Sequence, residues 1–181
     1  MLAGHYGVAL ALKARFPRVA LIPLLAACAV PDLLWLAFHA IGWERLTAMP
    51  SDFMRPDTFG PMPFSHDVSM SILYAGLIGG LGLLMVSQEW GVALGLAIAS
   101  HVVLDVIVHA PDVSVAGPWL HARIGLDLWR RAPLAAWMLE AVIVAGGAAF
   151  YLRRSEDRTR PNAWLVIGAL AALHIAALFS L

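Results

Sequence analysis

Long apolar stretches, each close to 20 residues and bounded by charge, Pro or Gly, dominate this chain and read as membrane-spanning helices. They place spans near 19–42, 66–87, 90–110, 133–152 and 162–181. A shorter apolar helix near 2–16 precedes the first span and turns back at Phe16-Pro17-Arg18, where proline stops a helix. Gln88-Glu89 marks a tight hairpin, and Arg153 to Arg160 a charged one. The 44–65 connection is rich in Pro, Asp and Met. The 111–132 connection holds Pro111, Pro118 and Gly125 and reads as a loop that dips partly into the bilayer. No internal repeat interrupts the pattern. It predicts an all-α integral membrane helix bundle of about five spans plus a short N-terminal helix, forming one domain over residues 1–181.

Composition sharpens the class. The chain is 61% hydrophobic and 13% charged, with a mean hydropathy of +0.78. Soluble domains carry about 25% charged residues. A formal net charge of zero removes the electrostatic case for a nucleic-acid partner. Cys28 is the single cysteine, which excludes an intrachain disulfide. Basic residues followed by Leu25-Ala26-Ala27-Cys28 resemble a lipoprotein signal, but the apolar run continues past Cys28 to Ala40, so a retained helix is expected. Lys13, Arg15, Arg18 and four arginines between 153 and 160 fall on one side, and Arg45, Arg55, Arg123, Arg130 and Arg131 on the other. That bias sets the 44–65 and 111–132 loops outside.

The acids do not follow the basic residues into the loops. Asp32, Asp105 and Glu140 fall inside expected spans, and Asp67 at the mouth of the second. An acid at mid-membrane costs roughly 2.5–3.5 kcal/mol on insertion scales and marks a functional site by default. The compensating charge must then be a proton, a histidinium or a metal cation. His101, Asp105 and His109 are spaced i, i+4, i+8 and climb one helical face. Imidazole and carboxylate are standard ligands for zinc and similar metals. At 1.5 Å per residue, His5 lies about 18 Å and Asp32 about 22 Å from the Pro17 turn, nearly one level. Asp105 lies about 9 Å below Pro111 and Glu140 about 11 Å below Pro133, from the outer side. His66 starts its span at that same side. Four or five helices thus bring ligand-type residues into one layer.

Several short motifs then look familiar: Gly4-His5, Asp32-Leu33-Leu34-Trp35, Pro63-Phe64-Ser65-His66, Ser100-His101 through Leu104-Asp105, His109-Ala110-Pro111-Asp112, Gly125-Leu126-Asp127-Leu128-Trp129 and Glu140. In this order the chain resembles the bacterial membrane-bound metal-dependent hydrolases, the group that includes the YdjM-like proteins, over residues 4 to about 152. The ligand order is also similar to that of the soluble zinc phospholipase C and P1 nuclease family, which hydrolyses phosphoesters with a zinc cluster. The resemblance implies that Asp32, His66, His101 and Asp105 hold one metal, and that His5, with Asp105 bridging, starts a second. The arginine that precedes the Thr-His-Ser of the YdjM-like pattern is missing here, where the chain reads Met62-Pro63-Phe64-Ser65-His66-Asp67. An obvious phosphate clamp is missing with it.

The expected activity is a membrane-embedded hydrolase in which one or two divalent ions, zinc first, activate water against a phosphoester. Asp32 or Glu140 would take the proton. His109, Asp67 and Asp112 are possible additional ligands, each with a plainer reading as a helix-end group facing water or favoured by the macrodipole. A bacterial inner-membrane location, a site toward the outer face and a lipid or lipid-linked substrate complete the expectation, with membrane lipids as the natural partners. The rival from another class is an ion, proton or metal transporter using the same cluster as a transit site; the absence of a paired repeat counts against it. His39, His121 and His174 read as structural, His174 lacking any acid partner in its own helix. The glycines between 76 and 95 suit close helix packing.

Overall fold

A computed structural model describes residues 3–45, 62–154 and 161–178. Most of the 44–65 connection and the 155–160 part of the charged turn lie outside the described residues. Among the described residues, eight helices and one hairpin follow in order: α1 (Ala3–Arg15), α2 (Leu21–Cys28), α3 (Val30–Ala40), α4 (Val68–Met85), α5 (Gln88–Val108), β1 (Val113–Ala116), β2 (Leu120–Ile124), α6 (Leu128–Arg131), α7 (Pro133–Arg154) and α8 (Pro161–Leu178). Three of them, α4, α5 and α7, are long and apolar enough to cross a membrane, and α2 with α3 makes a fourth if the bent pair is one span. The fifth expected span corresponds to α8, whose apolar stretch Ala163–Ala177 is shorter.

Local chemistry explains the breaks. The chain reverses after α1 through a turn in which the Val19 N–H donates to Phe16 O, and Lys13 Nζ reaches Pro17 O at 2.7 Å. The expected first span bends by 52° between α2 and α3, two residues before Pro31. Proline has no N–H to donate, and its ring clashes with the carbonyl one turn back, so the helix cannot run straight through. Asp67 caps α4, accepting from Met70 N at 2.9 Å and from Ser69 Oγ at 2.5 Å. Ser87 caps α5, so the reversal between α4 and α5 falls at Val86-Ser87, just ahead of the expected Gln88-Glu89.

Small residues lie between the helices and large apolar ones outside, the arrangement that suits helices packed in a bilayer. The helix pair α4–α5 closes on Gly79, Gly82 and Gly91. A Cβ on Gly91 would lie 2.7 Å from Gly79 O, and one on Gly79 2.9 Å from Gly91 O. Between α1 and α7, a Cβ on Gly7 would lie 2.9 Å from Ile143 O, and one on Gly147 would meet Gly7 O. Meanwhile Ile72, Leu77, Leu81, Leu84, Val103, Val142 and Leu165 are exposed. Apolar surface on that scale suits acyl chains rather than water. The Gly91→Leu substitution is therefore expected to force α4 and α5 apart and to destabilise the bundle by about 1–3 kcal/mol or more, read as a lowered midpoint in thermal unfolding of the detergent-solubilised protein.

One feature is absent from the expected all-α pattern. The 111–132 connection contains an antiparallel hairpin pairing Val113 with Ile124 and Ser114 with Arg123. Its tip turns at Gly117, which sits at φ +60°. The Gly117 N–H donates to the buried Asp67 carboxylate at 2.5 Å, so the tip is fastened to the cap of α4. The following segment is stitched to the end of α5 by Leu126 N to Val106 O and Asp127 N to His109 O, both 2.7 Å. Asp127, in the left-handed region at φ 60°, pairs with Arg130 at 2.5 Å. Among the tryptophans, Trp43, Trp119 and Trp164 are exposed, whereas Trp129 is buried against Val108 and Ala136.

Candidate metal centre

The start of α1, the bend between α2 and α3, the segment entering α4 and the end of α5 meet at one end of the bundle. At the opposite end, the α1–α2 turn meets the start of α5 through Arg18 Nη1 and Glu89 Oε1 at 3.4 Å. Asp105 is the hub of the first end and is 2% exposed. Its Oδ1 faces His5 Nε2 at 3.2 Å and His109 Nε2 at 3.6 Å; its Oδ2 faces His101 Nε2 at 3.1 Å and His66 Nε2 at 3.9 Å. Asp32 Oδ1 lies 3.3 Å from His66 Nε2 and 3.6 Å from His101 Nε2. The His5 ring stacks on that of His101 with centroids 3.8 Å apart and 3° between planes.

Two of the histidines have their tautomers set from outside the cluster. His101 Nδ1 lies 2.7 Å from Cys28 O, and a carbonyl only accepts, so Nδ1 carries the proton. That carbonyl belongs to the last turn of α2, where the bend at Pro31 frees acceptors from intrahelical bonding. His66 Nδ1 lies 2.9 Å from Ser65 Oγ, whose own hydroxyl donates to Glu44 Oε2 at 2.6 Å. Ser65 therefore accepts from His66 Nδ1–H. Glu44, 1% exposed, also takes the Phe64 and Ser65 N–H groups, at 2.8 and 3.0 Å. Both imidazoles consequently turn an Nε2 lone pair toward carboxylate oxygens. Acceptor facing acceptor at 3.1–3.6 Å is repulsive until a cation lies between them.

The donor set fits a divalent ion. Two groups of three can each hold one: His5, His101 and Asp105, and Asp32, His66 and His101. Both draw on His101, and one Nε2 serves one ion, so occupancy by two ions requires Asp105 to divide its oxygens between them. Imidazole held by a carbonyl or a hydroxyl–carboxylate chain is the usual outer arrangement of a metal-binding histidine. On that basis Ser65→Ala is expected to weaken Zn2+ binding about 10–100-fold in a titration of purified protein, while leaving the fold intact. Access comes through Asp32, whose side chain is 46% exposed whereas those of His101 and Asp105 are at most 3%.

The remaining sequence candidates sit around this cluster. His109 Nδ1 lies 3.8 Å from Asp112 Oδ1. Burial pushes the His109 imidazole down to about 4 and the Asp112 carboxyl up to about 6, against ordinary values of 6.5 and 3.8. Asp67 serves as a cap and as the acceptor for Gly117. Burial there opposes ionisation, but hydrogen bonds from Ser69, Gly117 and Met70 hold its carboxyl below the usual range. Glu140 belongs to neither ligand group: its Oε1 accepts the Gly4 N–H at 2.8 Å. Its Oε2 lies 3.8 Å from His174 Nδ1, so His174 does have an acid neighbour, supplied by α7 rather than by its own helix. His39 Nδ1 contacts Glu44 O at 3.1 Å. Glu44 and Ser65 carry no spacing signal as site residues: Glu44 lies in the bend after α3 and Ser65 in the turn that delivers His66. No protein-family model, curated protein or solved structure matches this chain.

Proposed function

We propose that this protein is a membrane-embedded, metal-dependent hydrolase acting on a phosphoester in a lipid or lipid-linked substrate. The observation that carries the reading is one buried carboxylate, Asp105, ringed by His5, His66, His101 and His109, with two of those imidazoles locked so that their lone pairs face inward. One or two divalent ions there, zinc first, would polarise a phosphoryl oxygen and lower the pKa of water toward about 7. Resemblance to the YdjM-like hydrolases and to zinc phospholipase C adds the phosphoester.

The chain's own residues divide the work. Asp105 and the imidazoles supply ligands. Asp32, half open and 3.3 Å from His66, is the acid suited to accept the proton of an attacking water. Glu140 is fully buried with one oxygen already taken by Gly4, so it is not a base in this scheme. A cluster near one end of the bundle suits a substrate whose headgroup lies at the interface and whose chains stay in the bilayer. The distribution of basic loops turns that end outward in a bacterial inner membrane.

The test is turnover of phospholipids, presented in mixed micelles, by protein stripped of metal and reloaded with Zn2+. Headgroup release that needs Zn2+ and vanishes in His101→Ala supports the hydrolase. Cation flux in proteoliposomes without any release would replace it with a transporter.

A further inference from the structure

We infer that Glu140 is a positioning residue that fixes His5 in the metal centre by capping α1 from a different helix. This rests on the reading of His5 as a ligand proposed above. Helix α1 begins at Ala3, and the N–H groups of a first turn have no partner within the helix. Glu140 Oε1, on α7, takes the one at Gly4, the residue immediately before His5, at 2.8 Å. A carboxylate at a helix N-terminus is also favoured by the macrodipole.

The cap is buried. Glu140 is 0% exposed, and its second oxygen, which makes no hydrogen bond among the described residues, lies 3.8 Å from His174 Nδ1. His174 is held on α8 by Trp137, which stacks on its ring at 4.5 Å and donates from Nε1 to its carbonyl at 3.1 Å. The close approach of Gly7 to Ile143 and Val144 fixes the spacing between α1 and α7 one turn further on. With its backbone pinned at Gly4 and Gly7, His5 has its ring laid flat on His101 and its Nε2 set 3.2 Å from Asp105. Glu140 thus acts on the centre through the backbone, without touching the ion.

The experiment is a Zn2+ titration of the purified full-length protein, paired with the visible spectrum of the Co2+-loaded form. Glu140→Leu is expected to weaken Zn2+ binding about 10–100-fold and to change the Co2+ spectrum as His5→Ala does. Glu140→Gln keeps an acceptor for Gly4 and should stay within about threefold of wild type, its Co2+ spectrum unchanged. The double variant His5→Ala/Glu140→Leu should bind no more weakly than His5→Ala alone, because the two changes remove one ligand. Additive losses, or a glutamine as damaging as the leucine, would overturn the positioning role while leaving the centre in place. A wild type that binds neither ion would remove the metal reading and this inference together. Should the leucine variant fail to fold, the glutamine variant and its spectrum decide alone.

Discussion

Asp105→Asn is expected to empty the centre, lowering Zn2+ affinity by at least about 100-fold, more than the loss of any outer partner. The exchange preserves shape and removes charge. Asp105 offers one oxygen to His5 and His109 and the other to His101 and His66. An amide keeps one oxygen and turns the other position into an NH2 donor, which can bond an imidazole lone pair directly. The variant would therefore satisfy by hydrogen bonding what the wild type satisfies with a cation, and should fold without it. Elemental analysis of both proteins after identical purification checks this: one or two equivalents in the wild type and none in the variant. Equal metal content in the two would refute Asp105 as the hub.

Removing the metal from the wild type should produce the largest stability change. An ion present at about 1,000 times its dissociation constant adds about 4 kcal/mol to a fold that alone binds it. For a chain of this size each kcal/mol moves the midpoint by about 2–4 °C, so a chelator should lower it by about 8–16 °C. Thermal scans of the detergent-solubilised protein, at one fixed rate with and without chelator, measure the difference. Asp105→Asn should show no chelator effect. The pH dependence has a definite sign: protons compete with the ion for the imidazoles and carboxylates, so the zinc-dependent increment should be largest at about pH 8 and shrink on acidification. An increment that grew on acidification would exclude histidine ligation.

Much of this arrangement is readable from spacing because helices are periodic. His101 and Asp105 must share a face at i, i+4, and the reversal near Pro17 sets His5 and Asp32 at one depth. The reversal follows from Pro17, whereas the bend ahead of Pro31 interrupts the 19–42 stretch that the pattern reads as one span. What spacing does not carry is partnership across helices. Glu140 reads as a candidate base in a span, but its bond to the Gly4 N–H, made where α7 packs against the start of α1, has no spacing signal. His174 looks solitary for the same reason. Glu44 is invisible to a periodic reading, since its role comes from a turn that has no repeat. The hairpin escapes because Val113–Ala116 and Leu120–Ile124 are too short to display alternation beside Gly117 and Pro118. For the fifth expected span, the described apolar stretch Ala163–Ala177 is shorter than the run that the pattern reads over 162–181.

The bond from Asp67 to Gly117 joins neighbours of unlike kind, since the residue before Asp67 is an imidazole of the centre and the residue it grips is the crest of the hairpin. Only a peptide unit separates the ligand from the latch. The crest carries Trp119, with 77% of its surface uncovered. Moving that crest would therefore require the Asp67 bond to part or the residue after His66 to move with it.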